Sequence, residues 1–193
     1  MSVIRAFIAV DLPDDVQDCL DTVSTQLKEQ MGPVPVRWVP PENIHLTLKF
    51  LGDVSLANID VLTELLELEA ATLKPLVISI GSVGAYPKVR NPRVVWVGIE
   101  APQELFALQR SIDSQLNRIG YSPENKPFSP HLTLGRVSRN ATPQDVRKIG
   151  DVLASQKIGF LGVARIRAIH LYRSDLKPSG AVYSKLFSAS FNG

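Results

Sequence analysis

The chain has 193 residues, with 21 Lys and Arg against 19 Asp and Glu, a formal charge of +2, and 45% apolar residues. That length and apolar share suit one globular unit with an ample core, and so slight a positive balance excludes a chain built as a general nucleic-acid coat. Cys19 is the single cysteine, which excludes an internal disulfide framework or a multi-cysteine metal site and points to a reducing compartment.

Val3 to Val10 (VIRAFIAV) reads as a buried strand. The segment around it is too short and too charged for a signal peptide, and no run in the chain approaches the ~18 apolar residues of a membrane span. A cytoplasmic protein without membrane contact is therefore expected. Pro13 opens a helix with Val16, Leu20, Val23 and Leu27 on one face and Gly32 as its stop. PVPVRWVPPEN is punctuated by proline and must be loop or edge strand. IHLTLKFLG is a β-type run closed by Gly52 and Asp53, and Ser55 to Leu73 carries Ile59, Leu62, Leu66 and Leu73 at helical spacing. LVISIGSV and RVVWVGI are strands flanking a polar connector, GAYPKVRNP.

The rhythm then repeats. Pro102 opens a helix with Leu105, Leu108, Ile112, Leu116 and Ile119 as its stripe and Gly120 as its stop. A second proline-rich linker, YSPENKPFSP, leads into HLTLGRV. Thr142-Pro143-Gln144-Asp145 has the form of a capping box and starts a short helix to about Leu153. Ile158 to Tyr172 and Val182 to Phe191 read as closing strands. The order suggests an internal duplication.

His-Leu-Thr-Leu occurs at 45–48 and again at 131–134, in a chain with three histidines. Chance agreement of this kind is on the order of one in a thousand at ordinary residue usage. A duplicated core strand would account for the leucines but not for the histidines. With the period of two of a strand, Leu46 and Leu48, and Leu132 and Leu134, face a core, while His45 and Thr47, and His131 and Thr133, face the other way. If the halves pack as pseudo-symmetric lobes, two imidazoles and two hydroxyls converge on one small volume. One neutral imidazole can take a proton from a nucleophile, the other, charged, can give one to a leaving oxygen, and the hydroxyls can hold phosphate oxygens. In-line displacement at phosphorus fits this set. No third ligand of the H-E-x-x-H kind accompanies the pair, so no metal is expected. His170 lacks the following threonine and is read as structural; Trp38 and Trp96 are read as packing, and Gly81 and Gly84 form no phosphate loop.

The paired motifs resemble those of the two-histidine (2H) phosphoesterase superfamily, and within it the RNA 2′,3′-cyclic phosphodiesterases also called 2′-5′ RNA ligases. The likeness spans Arg5-Ala6-Phe7-Ile8, Trp38, His45 to Gly52, Pro92 to Trp96, Phe128 to Arg136 and Leu171 to Leu176. In the tail, Pro178-Ser179-Gly180-Ala181-Val182-Tyr183 has alanine where that family commonly has a second proline. The resemblance implies an α+β fold of one bilobal domain over 1–193, two intertwined pseudo-symmetric lobes whose antiparallel sheets face a central cleft with helices outside. It implies metal-independent and cofactor-independent hydrolysis of an RNA-terminal 2′,3′-cyclic phosphate to a 2′-phosphate, with His45 as proton donor, His131 as proton acceptor, and Thr47 and Thr133 on phosphate oxygens. Attack by a 5′-hydroxyl instead of water would give 2′-5′ ligation. Arg136 resembles a phosphate-contacting arginine, although simple alternation puts it opposite His131, so a bend after Gly135 is required. Lys88, Arg90, Arg93, Arg136 and Arg139 are candidates for an RNA-binding face, and Phe128 and Tyr172 for stacking on a terminal base. The expected partner is RNA with a cyclic phosphate end, bound by a monomer. The competing readings are a phosphodiesterase for a small nucleotide or ADP-ribose cyclic phosphate, and a non-catalytic module that grips RNA ends.

Overall fold

The computed structural model describes residues 2–177 and 180–193; over these, nine strands form two antiparallel sheets covered by four α-helices. In chain order the elements are β1 (Val3–Val10), α1 (Asp14–Met31), β2 (Val36–Trp38), β3 (Leu46–Ser55), α2 (Ile59–Ala70), β4 (Leu76–Lys88), β5 (Asn91–Glu100), α3 (Gln103–Arg118), β6 (His131–Val137), α4 (Pro143–Ser155), β7 (Phe160–Ile166), β8 (Ala168–Lys177) and β9 (Gly180–Ser190). The first sheet has strand order β3-β1-β8-β9 and the second β2-β6-β5-β4-β7. The two halves are interlaced. β4 and β5 leave the first half to pair with β7 and β6 of the second, and β8 leaves the second half to pair with β1. The helices cross over as well: α1 and α4 pack behind the second sheet, α2 and α3 behind the first.

Each helix follows from an apolar stripe. α1 buries Val16, Leu20, Val23 and Leu27 and stops at Gly32, whose φ of 63° is a conformation glycine adopts without penalty. α4 starts with a capping box in which the Thr142 hydroxyl accepts from the Asp145 N–H and the Asp145 carboxylate accepts from the Thr142 N–H, with Pro143 at the first helical position. α2 begins only at Ile59, after a 3-10 turn at Leu56–Asn58, and ends at Ala70, so Leu73 lies beyond it. The stripe of α3 ends at Leu116; Ile119, past the last helical residue, is 43% exposed.

Three segments differ from the sequence expectation. β3 does not close at Gly52-Asp53 but runs on to Ser55, held by pairing with β1 as far as Val3. The polar connector GAYPKVRNP is a tight hairpin rather than a loop between the strands: β4 and β5 stay paired to Lys88 and Asn91, so most of it is ladder. Ile158 to Tyr172 divides at Arg167 into β7 and β8, which belong to different sheets. Pro178 and Ser179, part of the tail that departs from the family pattern, lie outside the described residues.

Candidate active site

Both His-Leu-Thr-Leu motifs obey the alternation. Leu46, Leu48, Leu132 and Leu134 are buried in the core, while His45, Thr47, His131 and Thr133 line one cleft of about 710 Å³. The imidazoles are held alike. Nδ1 of His45 donates to the Asn43 carbonyl and Nδ1 of His131 to the Ser129 carbonyl, each at 2.8 Å. A carbonyl can only accept, so each ring carries its proton on Nδ1 and leaves Nε2 as the nitrogen available for proton transfer. Each ring also meets a tyrosine edge-on, His45 with Tyr183 at 5.2 Å and His131 with Tyr86 at 5.0 Å. The Tyr86 hydroxyl in turn lies 2.8 Å from the Ser129 hydroxyl. Neither tyrosine stands out in the sequence; both sit away from the motifs and reach them only across strands.

Arg136 is brought round not by a bend after Gly135 but by a β-bulge just before it. Val95 pairs with Gly135 and Trp96 with Thr133, leaving Leu134 as an extra residue. The first copy has the same defect: Ile8 pairs with Lys49 and Ala9 with Thr47, leaving Leu48 extra. Each bulge resets the alternation, so the residue five places after each histidine turns toward the cleft. In one motif that residue is Arg136 and in the other Phe50, a ring left 60% exposed at the cleft wall. Phe50 is the residue that sequence reasoning missed, and the signal was present in its equivalence to Arg136.

The remaining candidates divide. Phe128 lines the cleft and packs edge-on against Phe106. Arg93 lines it with Lys126, whereas Lys88, Arg90 and Arg139 do not. Tyr172 is not part of the cleft wall. It stacks on Phe7, which stacks in turn on His45, and its hydroxyl donates to Asp11 at 2.6 Å. His170 is buried, with Nδ1 2.8 Å from the Ser188 hydroxyl and Nε2 3.4 Å from Asp11. Trp38 lies under Lys28, and Trp96 packs on Tyr86.

Charge around the cleft is built in two places. Burial pushes the Asp11 carboxyl up, but hydrogen bonds from Lys185 and Tyr172 outweigh that and hold it below the ordinary carboxylate value. Burial holds the His45 imidazole below the ordinary histidine value; its bond to the Asn43 carbonyl and the Asp11 charge act against this, and Arg136 adds to it. On β3, just past the first motif, the Lys49 ammonium, only 3% exposed, donates to Asp113 of α3 at 2.5 Å and to the Ser122 carbonyl at 2.7 Å, with Glu124 at 3.6 Å. Ser122 and Glu124 belong to the linker that leads to His131. Among the described residues no three His, Cys, Asp or Glu side chains group to hold a metal ion. No helix among them is long and apolar enough to cross a membrane.

The pattern described as LigT-like phosphoesterase matches residues 10–96 and again 97–183, one His-Leu-Thr-Leu motif in each. The chain belongs to the LigT-like phosphoesterase family. Within the family it is 34% identical over 183 residues to the RNA 2′,3′-cyclic phosphodiesterase of Methanothermobacter thermautotrophicus, covering 95% of this chain and 96% of that one. It is 35% identical over 182 residues to the protein of the same name from Archaeoglobus fulgidus, covering 94% and 97%. Among solved structures, a protein of Thermus thermophilus superposes with a TM-score of 0.82 at 27% identity over 98% of this chain and 99% of that one. E. coli LigT complexed with 3′-AMP superposes with a TM-score of 0.78 at 26% identity over the whole of both chains.

Proposed function

We propose that the cleft hydrolyses the 2′,3′-cyclic phosphate at an RNA 3′ end to a 2′-phosphate, without metal or other cofactor. The observation that carries this reading is the matched pair of imidazoles, each with Nδ1 fixed on a backbone carbonyl and both on one cleft with two threonines and an arginine. His131 Nε2 takes the proton of the attacking water. His45 Nε2 gives its proton to the departing ribose 3′-oxygen. Thr47, Thr133 and Arg136 hold the non-bridging oxygens, where negative charge grows. In the free protein His45 is held toward its neutral form, and the substrate's own charge offsets this, because a phosphate anion beside the ring favours the imidazolium. The names of the archaeal relatives supply the substrate class, and the 3′-AMP carried by E. coli LigT supports a cleft sized for a nucleotide. Arg93 and Lys126 give the cleft two further cations, which suits a polyanion better than a small neutral ligand. A 5′-hydroxyl in place of water gives a 2′-5′ linkage by the same steps.

The test is incubation of the protein with RNA ending in a 2′,3′-cyclic phosphate, followed by identification of the hydroxyl that keeps the phosphate. A 2′-phosphate is expected, and His45→Ala and His131→Ala should each slow turnover at least about a hundredfold with the fold intact. A 3′-phosphate product, or near-normal turnover in either variant, would overturn the assignment.

A further inference from the structure

A second cavity, of about 500 Å³, adjoins the cleft, and Tyr86 and Ser129 line both. Its floor follows from strand register. His131 pairs with Gly98, Gly98 with Gly81, and Gly81 with Phe160, in one row across β6, β5, β4 and β7. The two middle positions carry no side chain, and the row spans ~14 Å from His131 to Phe160, three steps of ~4.8 Å; Ser82 and Gly159 close in on it, and with Gly81, Gly98 and Phe160 they line a trough that reaches the cleft at Tyr86 and Ser129. Glycine is needed there: a Cβ at Gly98 would come within 2.8 Å of the Ser82 hydroxyl, and one at Gly81 within 2.6 Å of the Gly159 carbonyl oxygen. At the far end Phe160 stands 72% exposed on the edge strand of the sheet. Glu100 lines the cavity, and among the described residues no Lys or Arg does.

In an in-line displacement the attacking group enters on the side of the base. With His131 as base, whatever replaces water must come from the His131 side, and the trough meets the cleft on that side, at Tyr86, whose ring meets His131 edge-on, and at Ser129, whose carbonyl holds the His131 Nδ1. A lining without cations argues against a phosphodiester backbone as occupant. The 5′-hydroxyl end of an RNA is different, because its first nucleoside carries no 5′-phosphate. The volume lies within the range of small-ligand sites, and an exposed ring suits a base of any identity. We infer that this trough is an acceptor subsite, which seats the 5′-terminal nucleoside of a second RNA with its base on Phe160 and its 5′-hydroxyl toward His131. The inference rests on the acid–base reading given above. In the joining step a bond forms between the 5′-oxygen and phosphorus, and the bond from phosphorus to the 3′-oxygen breaks. His131 takes the proton of the 5′-hydroxyl and His45 supplies one to the 3′-oxygen. The product is a 2′-5′ phosphodiester with a free 3′-hydroxyl, and no other reactant is consumed.

The experiment compares wild type, Phe160→Ala and Phe160→Trp in two assays: hydrolysis of a mononucleoside 2′,3′-cyclic phosphate, and joining of a cyclic-phosphate RNA to a varied concentration of a 5′-hydroxyl RNA. Hydrolysis should stay within about twofold in all three. The acceptor KM should rise about tenfold or more in Phe160→Ala, the scale of one lost base stack, and return toward wild type in Phe160→Trp. An unchanged acceptor KM in Phe160→Ala overturns the subsite, as does a wild type that hydrolyses the cyclic phosphate but joins nothing. A wild type without hydrolysis overturns the acid–base reading itself, and the subsite with it.

Discussion

The ammonium of Lys49 lies 2.5 Å from the carboxylate of Asp113, joining the strand of His45 to the helix whose linker leads to His131. Lys49→Met leaves Asp113 without its cation in a largely buried setting. Breaking such a pair from one side costs about 3 kcal/mol, which in a chain of this size lowers Tm by about 6–12 °C. Turnover measured below the new Tm should fall at least about tenfold, because the linker that sets His131 is released and small misplacements of a catalytic group are expensive in rate. Thermal melts and steady-state kinetics on the same preparation check both; an unchanged Tm would show that the pair holds nothing.

The pH profile should report His45. Burial depresses its pKa, so the acid form needed to protonate the leaving oxygen is lost as pH rises through a value below the ordinary 6.5. The alkaline limb of kcat/KM should therefore fall on the acidic side of neutrality. Arg136→Gln removes a charge that lowers the His45 pKa, so the limb moves to higher pH while KM rises. Asp11→Asn removes a charge that raises it, so the limb moves to lower pH. Limbs that stay fixed in both variants would detach His45 from the profile.

Phe50 and Tyr172 should behave oppositely toward substrate. Phe50→Ala removes an exposed ring from the cleft wall, and KM for a nucleotide substrate should rise about fivefold or more with kcat little changed, as expected for a lost base stack. Tyr172→Phe should leave KM within about twofold, because the ring stands behind Phe7 and only its bond to Asp11 is lost. Kinetics with one RNA across both variants would show whether stacking sits on the cleft side of Phe7.

Chelation should not matter. With EDTA present, hydrolysis of the cyclic phosphate should proceed at the rate seen with added magnesium, since both proton transfers are assigned to imidazoles. A rate that collapses on chelation and returns with a divalent cation would require a metal in the site.

The four helices and the two histidine strands were legible because each depends on local period: Leu62 and Leu66, or Leu46 and Leu48, mark their face whatever surrounds them. The polar connector after Gly84 was not, because its strand character comes from pairing between β4 and β5 rather than from its residues. Register is likewise a property of two strands. The bulges at Leu48 and Leu134 leave no mark in HLTL, so the place of Arg136 could be stated only as a requirement and that of Phe50 was not seen at all. Asp11 meets Tyr172 and Lys185 from the far end of the chain, and no short-range pattern announces that network.

The interlacing of the halves bears on how such a molecule can be divided. A chain cut between 96 and 97 would leave its first fragment with β3 beside β1 but no third partner, and with β4 deprived of β7 altogether and of part of its pairing with β5. Neither piece would inherit a finished wall for its own imidazole. The duplication that doubled the motif thus also removed the freedom of either copy to fold by itself, and split halves should regain hydrolysis only when mixed.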